Sequence, residues 1–560
     1  MGRGNHRHPG LTTRALLAAA LLTGVVPVTA AAADGPAPRA AATAADDPVP
    51  EHESMPDDGT ADEPEGEQDD SAVAPGLSRQ AAPPLAAPVP GRTQDFRLAA
   101  GSGLGGLVDQ LDAALPKQGV TGLMEQANRT AGWDSACPDT SIYGADLLVS
   151  RRVCWMTDDA GSTEWVPQAI TGVSDAQEDE DWGDSPSDPV LVGSYDNANP
   201  GRSDYAAGRD NCLSSSVSDA CNEKGVRITF INQATHKYRH VLLVWPYINN
   251  YDHISFDALH AAEGTCNQVV TTDCAAQNGI HAGGMVWYGN YLYVADTANG
   301  FRVFDMRRIM DLNPDEDATV HDPTPDGLVS NVENKRLIGR QSNVWYSYGY
   351  RYVMPQVATL KFTTALPTES RDGNKCFATA RPKASYVSLD RTDTDHLLVG
   401  EYCNTNSGGD SNGRVATYPM ADVAAAVESA AGTTVDADLA FGLPTEGQDE
   451  FGGEDTWHKI QGALRYEGKW YFHRSNGYDN GRLLQAAPQS VDGSTRLVGN
   501  PTLLESSYGP EDLYLAHGRG DGKAPELWSL SEHAPSDDCG ACAREVYSYD
   551  MGEVTADFAG

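Results

Sequence analysis

From about Trp133 onward the chain runs in short alternating stretches of apolar and polar residues, rich in Val, Tyr, Leu and Trp and punctuated by Gly, Asn and Asp. That period belongs to β-strands and predicts an all-β region over residues 133–560. The clearest string is GMVWYGNYLYVADTANGFRVFDM, from Gly284 to Met306. It predicts strands at Met285 to Tyr288, Tyr291 to Asp296 and Phe301 to Met306, with turns at Gly289-Asn290 and Thr297 to Gly300. A second copy, GALRYEGKWYFHRSNGYDNGRLLQA, begins at Gly462. Weaker echoes lie at Ser385 to Tyr418, at Gly509 to Leu530 and at Ile170 to Ile231. Helical spacing interrupts the pattern at Met306 to Leu312 and at Ala421 to Ala431.

Upstream the period changes. Leu104, Leu107, Val108, Leu111 and Leu115 are followed, after Pro116, by Val120, Leu123, Met124 and Ala127. This spacing predicts a short helical hairpin within residues 95–132. Such a hairpin could cap the β domain or serve as an arm that docks a protein partner.

A three- or four-strand meander cannot bury both of its faces alone, and packing several around an axis solves the problem. The Gly284 string, with its "YVAD", short Gly turn and "VFD", resembles the blade repeat of LVIVD and NHL β-propellers. The resemblance covers about 25 residues well and the Gly462 copy fairly. It implies a β-propeller and no particular chemistry, since propellers serve as enzymes, lectins and scaffolds. Inner strands beginning near Ile170, Ile280, Ala384, Ile460 and Gly509 give five blades. Residues 240–256 and 343–364 could each add another, making six or seven.

The first residues carry Arg3, Arg7 and Arg14, then an apolar run from Ala15 to Val28 and the small residues Ala30 to Ala33. This is the order of a cleaved secretory signal peptide, over residues 1–33. The run is about fourteen residues, against roughly twenty for a bilayer-spanning helix, so no membrane span is expected. Between Asp46 and Asp70 lie twelve carboxylates and no Lys or Arg, amid Pro, Ala, Gly and Ser. Residues 34–94 therefore read as a disordered acidic linker, unable to bury enough apolar surface to offset its ordering entropy.

The formal net charge is -39, with 79 acidic against 40 basic residues. Nucleic acid, whose binding depends on neutralising phosphates, is excluded as a partner. A polyanionic glycan or membrane surface is a poor partner unless cations intervene.

The ten cysteines fall into sequence-adjacent couples: Cys137 with Cys154, Cys212 with Cys221, Cys266 with Cys274, Cys376 with Cys403, and Cys539 with Cys542. In an exported chain this reads as local disulfides pinning loops, and it fits an extracellular location.

Candidate chemistry sits where inner propeller strands converge. Aligning Ile280-His281, Ile460-Gln461 and Ile170-Thr171 puts His281, Gln461 and Thr171 at comparable positions, with Ser385 and Glu511 as counterparts from the weaker copies. An imidazole, an amide, a carboxylate and two hydroxyls could orient a sugar, bind one metal, or simply tie neighbouring blades together. His458, His473 and His517 lie on or near other strands, without local ligand spacing. Carboxylates cluster at Asp175 to Asp188, at Asp315 to Asp326 and at Asp393 with Asp395, where calcium could bind, but none completes a calcium-loop pattern. No catalytic residue is identifiable, and no GxSxG, P-loop or HExxH motif is present. Ten Trp and 23 Tyr, many at strand ends, offer faces for sugar rings as well as core material. The expected function is a secreted, lectin-like protein that recognises an extracellular glycan or cell-surface component and could target a larger assembly. The alternative is a secreted polysaccharide-degrading enzyme, a glycosidase or lyase, with its site at the propeller channel.

Overall fold

The computed structural model describes residues 92–559, except 138–146, 178, 181, 183–187, 198–223, 261–279, 315–323, 336, 370, 372–373, 406–407, 446–456, 519–523, 536–538 and 540–541. The expected signal peptide, nearly all of the acidic linker and the couples Cys212/Cys221 and Cys266/Cys274 lie outside the described residues. No described helix is long and apolar enough to cross a membrane.

The described residues are mostly β, organised as antiparallel meanders. Trp165–Gly172, Val190–Asp196, Val226–Asn232 and Lys237–Ile248 pair in succession. So do Met285–Tyr288, Tyr291–Asp296, Gly300–Asp305 and Tyr352–Phe362. The next meander is Tyr386–Asp390, His396–Gly400, Arg414–Pro419 and Leu439–Gly442. Ile460–Tyr466, Lys469–Arg474, Asn480–Val491 and Ser494–Gly499 follow. In the last, Tyr514–Ala516, Glu526–Leu530 and Glu545–Asp550 are joined by Val149–Cys154, a strand from far upstream in the chain. That pairing ties early and late parts of the chain into one sheet.

The leading strand of each meander is its inner strand, and these strands lie against one another: Trp165–Gly172 touches both Met285–Tyr288 and Tyr514–Ala516, and Tyr386–Asp390 touches both Met285–Tyr288 and Ile460–Tyr466. Being covered on both faces, they read as apolar runs with little alternation; every residue of Trp165–Gly172 is buried. Local turn chemistry agrees with the strands. Glu467 and Gly468 both take positive φ, 48° and 74°, as a two-residue hairpin turn between Tyr466 and Lys469 requires.

One expectation changes. Met306 to Leu312 is not helical: Ile309–Asp311 is a buried strand, clasped between Tyr352-Val353 and Lys117-Gln118. So short an apolar run has no period that separates helix from strand. Within residues 240–256 and 343–364, Lys237–Ile248 and Tyr352–Phe362 are the fourth strands of the first two meanders and pair in parallel at Leu242–Val244 with Val353–Pro355, Ile254–Ala258 adds to Lys237–Ile248, and Val344–Ser347 lies in a separate three-stranded sheet with Val329–Asn331 and Ile338–Gln341. By contrast, a helix does form at Met420–Val427.

Helices α1 (Gly105–Ala114) and α2 (Val120–Glu125) occupy the hairpin segment. Val108, Leu111, Ala114 and Leu115 pack with Leu242, Val244, Phe256 and Trp345. Val120, Leu123 and Met124 join the cluster containing Ile228, Val241 and Phe304. The apolar stripe that suggested a docking arm is thus covered by the chain's own strands. Gly106 in α1 meets nothing within 4 Å of a built Cβ and does not need positive φ. Gly106→Ala should therefore raise the unfolding free energy by ~0.5–1 kcal/mol, readable by urea denaturation.

Candidate functional site at the strand axis

Glycines set how closely the inner strands approach. A Cβ on Gly284 would lie 2.9 Å from the Tyr386 Cα, and one on Gly462 2.8 Å from the Glu511 carbonyl oxygen. Only hydrogen fits at these contacts, so the axis is narrow and lined by backbone.

Asp512 sits where the strands meet and is fully buried. Its Oδ2 accepts the N–H of Ile170 at 3.2 Å and that of Met285 at 3.4 Å, while its own N–H donates to the Gln168 carbonyl at 3.4 Å. One carboxyl group thereby joins three inner segments. Its Oδ1 is buried without a hydrogen-bond partner among the described atoms. Burial drives the Asp512 carboxyl well above the usual carboxylate range, and the backbone N–H groups offset this only in part.

Beside Asp512, the Gln461 amide donates to Glu511 Oε1 at 3.1 Å, with Gln461 8% and Glu511 1% exposed. His281, half-buried, lies with its ring 4.5 Å from that of Tyr195. The space beside Gly283 is bounded by the Ser385 carbonyl and by His281 Nδ1, 3.8 Å from a built Cβ. The Ser385 Oγ is buried with no hydrogen-bond partner among the described atoms. Gln461 with Glu511, and His281 with Ser385, are therefore brought together in pairs at the leading ends of the inner strands.

Thr171 does not stand level with His281. It accepts the Trp287 N–H at 3.1 Å and donates to Asp175 Oδ2 at 2.8 Å, near the trailing ends of the strands. The inner strand begins at Trp165, so Ile170 is level with Met285, and the Ile280/Ile170 alignment is displaced along the strand. Asp175, whose Oδ1 has no hydrogen-bond partner among the described atoms, is pushed up to about 8 by burial.

The rings of buried His473 and His458 are held by neighbours. His473 lies 3.1 Å from both Ser506 Oγ and Ser529 Oγ and 3.2 Å from the Glu511 carbonyl. Burial pushes its imidazole down to about 4, so it is neutral at pH 7. His458 lies between Thr405 Oγ1 at 2.8 Å and Arg474 at 3.3 Å. The His517 backbone N–H donates to Ser174 Oγ at 2.8 Å. Among the described residues, the one group of converging potential metal ligands is Cys376, Glu401 and Cys403, and its two sulfurs are joined in a disulfide. Disulfides also link Cys137 to Cys154 and Cys539 to Cys542, with Cα separations of 5.6 and 5.4 Å. The Asp395 carboxylate is engaged as well, with Arg391 at 3.5 Å and the Tyr288 hydroxyl at 3.0 Å.

Sequence reasoning selected Glu511 and passed over its neighbour Asp512. The string Gly-Pro-Glu-Asp-Leu-Tyr from Gly509 to Tyr514 offers no cue as to which carboxylate faces backbone N–H groups of other strands.

No family model matches the chain, and no curated protein matches it. Among solved structures, a GH43_1 enzyme from Xanthomonas citri aligns over 70% of this chain and 88% of its own, at 10% identity and a TM-score of 0.29. A putative oxidoreductase (glucose dehydrogenase) from Thermus thermophilus aligns over 70% and 98%, at 12% identity and a TM-score of 0.24. An α-L-arabinofuranosidase from Clostridium thermocellum aligns over 68% and 95%, at 9% identity and a TM-score of 0.23. Scores this low transfer neither activity nor residue roles to this chain.

Proposed function

We propose that the meanders are blades of a secreted five-bladed propeller that binds a neutral extracellular glycan at the leading ends of its inner strands. The observation that carries this reading is the Gln461–Glu511 pair set beside Asp512 on a narrow, backbone-lined axis. An amide and a carboxylate held in register offer a donor and an acceptor to adjacent sugar hydroxyls. The unpartnered Ser385 hydroxyl and the His281–Tyr195 ring pair add a further polar contact and an aromatic face.

Binding is favoured over hydrolysis by the carboxylate count. Glycosidases need two carboxyl groups facing each other across the scissile bond. Of the positions ringed by sequence, Glu511 alone is acidic. The adjacent Asp512 is committed to backbone N–H groups of two inner strands. A calcium requirement stays part of the test, since cation bridging is the route by which so acidic a chain would hold an acidic polymer.

Isothermal titration with neutral cell-wall oligosaccharides, with and without calcium, tests the proposal. Gln461→Ala should weaken binding ~10-fold, the equivalent of one hydrogen bond to a charged or polar partner. Absence of binding at micromolar protein under both conditions would remove the lectin reading.

A further inference from the structure

We infer that the axial site continues outward onto the Tyr478 ring, a second sugar subsite that makes the ligand a chain of sugars rather than a single ring. The inference rests on the glycan reading of the axis and names the class of glycan taken there.

The axial pair offers little surface of its own. Gln461 is 8% exposed and Glu511 1%. Two nearly buried side chains can reach the hydroxyls at one edge of a sugar ring, and they leave its faces in water. Small-ligand sites bury most of their ligand, largely against apolar and aromatic groups. A further apolar face is therefore needed within reach of Glu511.

Backbone pairing builds a path to one. Pro510 and Ser531 form an antiparallel bridge. On either side of it the Glu511 N–H donates to the Leu530 carbonyl at 3.1 Å and the Glu532 N–H to the Gly509 carbonyl at 2.9 Å. The ladder that holds Glu511 thus also places the next residue, His533. The half-buried His533 ring packs on Gly509, where a Cβ would lie 2.5 Å from its Cδ2. Gly509 is two residues from Glu511, a span of at most ~7 Å, so His533 stands beside the axial pair. Tyr478 completes the path, its ring centroid 4.8 Å from that of His533.

The loop that carries Tyr478 is anchored on the same segment. Gly481 abuts the Pro510 ring, where a Cβ would collide, and the Asn480 side-chain amide donates to the Ser506 carbonyl at 3.0 Å. The Asp479 N–H closes a turn on the Asn476 carbonyl at 3.3 Å. Cys539, joined to Cys542, has its Sγ 3.8 Å from the Tyr478 carbonyl. A solitary exposed apolar ring needs no explanation. Tyr478 differs, because it is 36% exposed while its ring rests on His533 and its loop on Pro510. A ring fixed in this way loses little conformational freedom on binding, and its bare face can stack on the apolar face of a sugar. Gly509 and His533 intervene between Glu511 and Tyr478 in this chain of contacts. One sugar ring does not meet both.

The test is calorimetric titration of the whole protein with glucose and cellotriose, and with N-acetylglucosamine and chitotriose. In at least one pair the trisaccharide should bind at least ~10-fold more tightly than its monomer. Tyr478→Ala should lower that trisaccharide affinity ~3- to 10-fold and leave the monomer unchanged. Tyr478→Phe keeps the ring and should bind as wild type does. An unchanged thermal midpoint in Tyr478→Ala would show that a contact was lost and the fold was not. Equal affinity for trisaccharide and monomer, or equal weakening of both by Tyr478→Ala, would overturn the inference and leave the axial reading standing. Trisaccharide binding weakened in Tyr478→Ala but untouched in Gln461→Ala would instead sink the axial reading. No binding of any of the four sugars would remove both.

Discussion

Gly284→Ala should lower the unfolding free energy by ~3 kcal/mol or leave no folded protein, measured by thermal and denaturant unfolding. The methyl group would enter the backbone of Tyr386, with its Cβ 2.9 Å from both the Tyr386 Cα and carbonyl carbon. Backbone cannot turn aside as a flexible side chain does. The strands Met285–Tyr288 and Tyr386–Asp390 would have to separate, and Met285 would move from Asp512, whose Oδ2 accepts its N–H. Gly106→Ala provides the contrast, since the same methyl group there meets open space. Equal effects of the two substitutions would show that the inner strands do not approach as described.

The second large effect is a loss of stability as pH rises from 6.5 to 8. His240, His260 and His473 are each pushed down to about 4, chiefly by burial, from 6.5 in the unfolded chain. Between those values the unfolded state binds more protons at these groups, so their contribution is present above pH 6.5 and is lost as pH falls toward 4. Asp175 and Asp512 act in the opposite sense. Burial raises Asp175 to about 8 and Asp512 well above 3.8, so the folded state holds protons that the unfolded state has released. Their contribution is full below pH 3.8 and declines as pH rises.

From pH 4 to 6.5 the gain from the three histidines is opposed by the raised carboxyl groups Asp95, Asp175 and Asp512, and from 6.5 to 8 the histidines no longer contribute a gain while Asp175 still lowers stability. Asp175→Asn keeps an oxygen for the Thr171 hydroxyl and removes the titration. The variant should match wild type near pH 4 and exceed it by several kcal/mol at pH 8, since each tenfold change in proton affinity corresponds to ~1.4 kcal/mol. A difference independent of pH would contradict the assignment.

Much of the fold was legible because local chemistry and tertiary packing agree. The strands expected at Met285 to Tyr288 and Tyr291 to Asp296 are present at those residues, and the third, expected from Phe301, runs Gly300–Asp305. Three of the cysteine couples pair as their spacing suggested. Register along the axis was not legible. Ile170-Thr171 and Ile280-His281 look alike as dipeptides, yet five residues of the same strand precede Ile170, whereas Ile280 lies upstream of the described strand that begins at Met285. The role of Asp512 was hidden for a related reason, because the N–H groups it accepts come from Ile170 and Met285, distant in the chain. The Asp159 cluster likewise gathers Arg129, Arg227, Tyr238 and His240 from separate stretches, with no motif to announce it.

The most direct test of glycan binding at the axis is to follow saturation and product in one sample, incubating the protein with a neutral cell-wall oligosaccharide. A binding ring with one acidic member predicts saturable, reversible binding with the oligosaccharide recovered intact, and weakened binding in Gln461→Ala. Release of new reducing ends or unsaturated products by wild type, abolished in a folded Glu511→Ala variant, would contradict it and assign the axis to an enzyme.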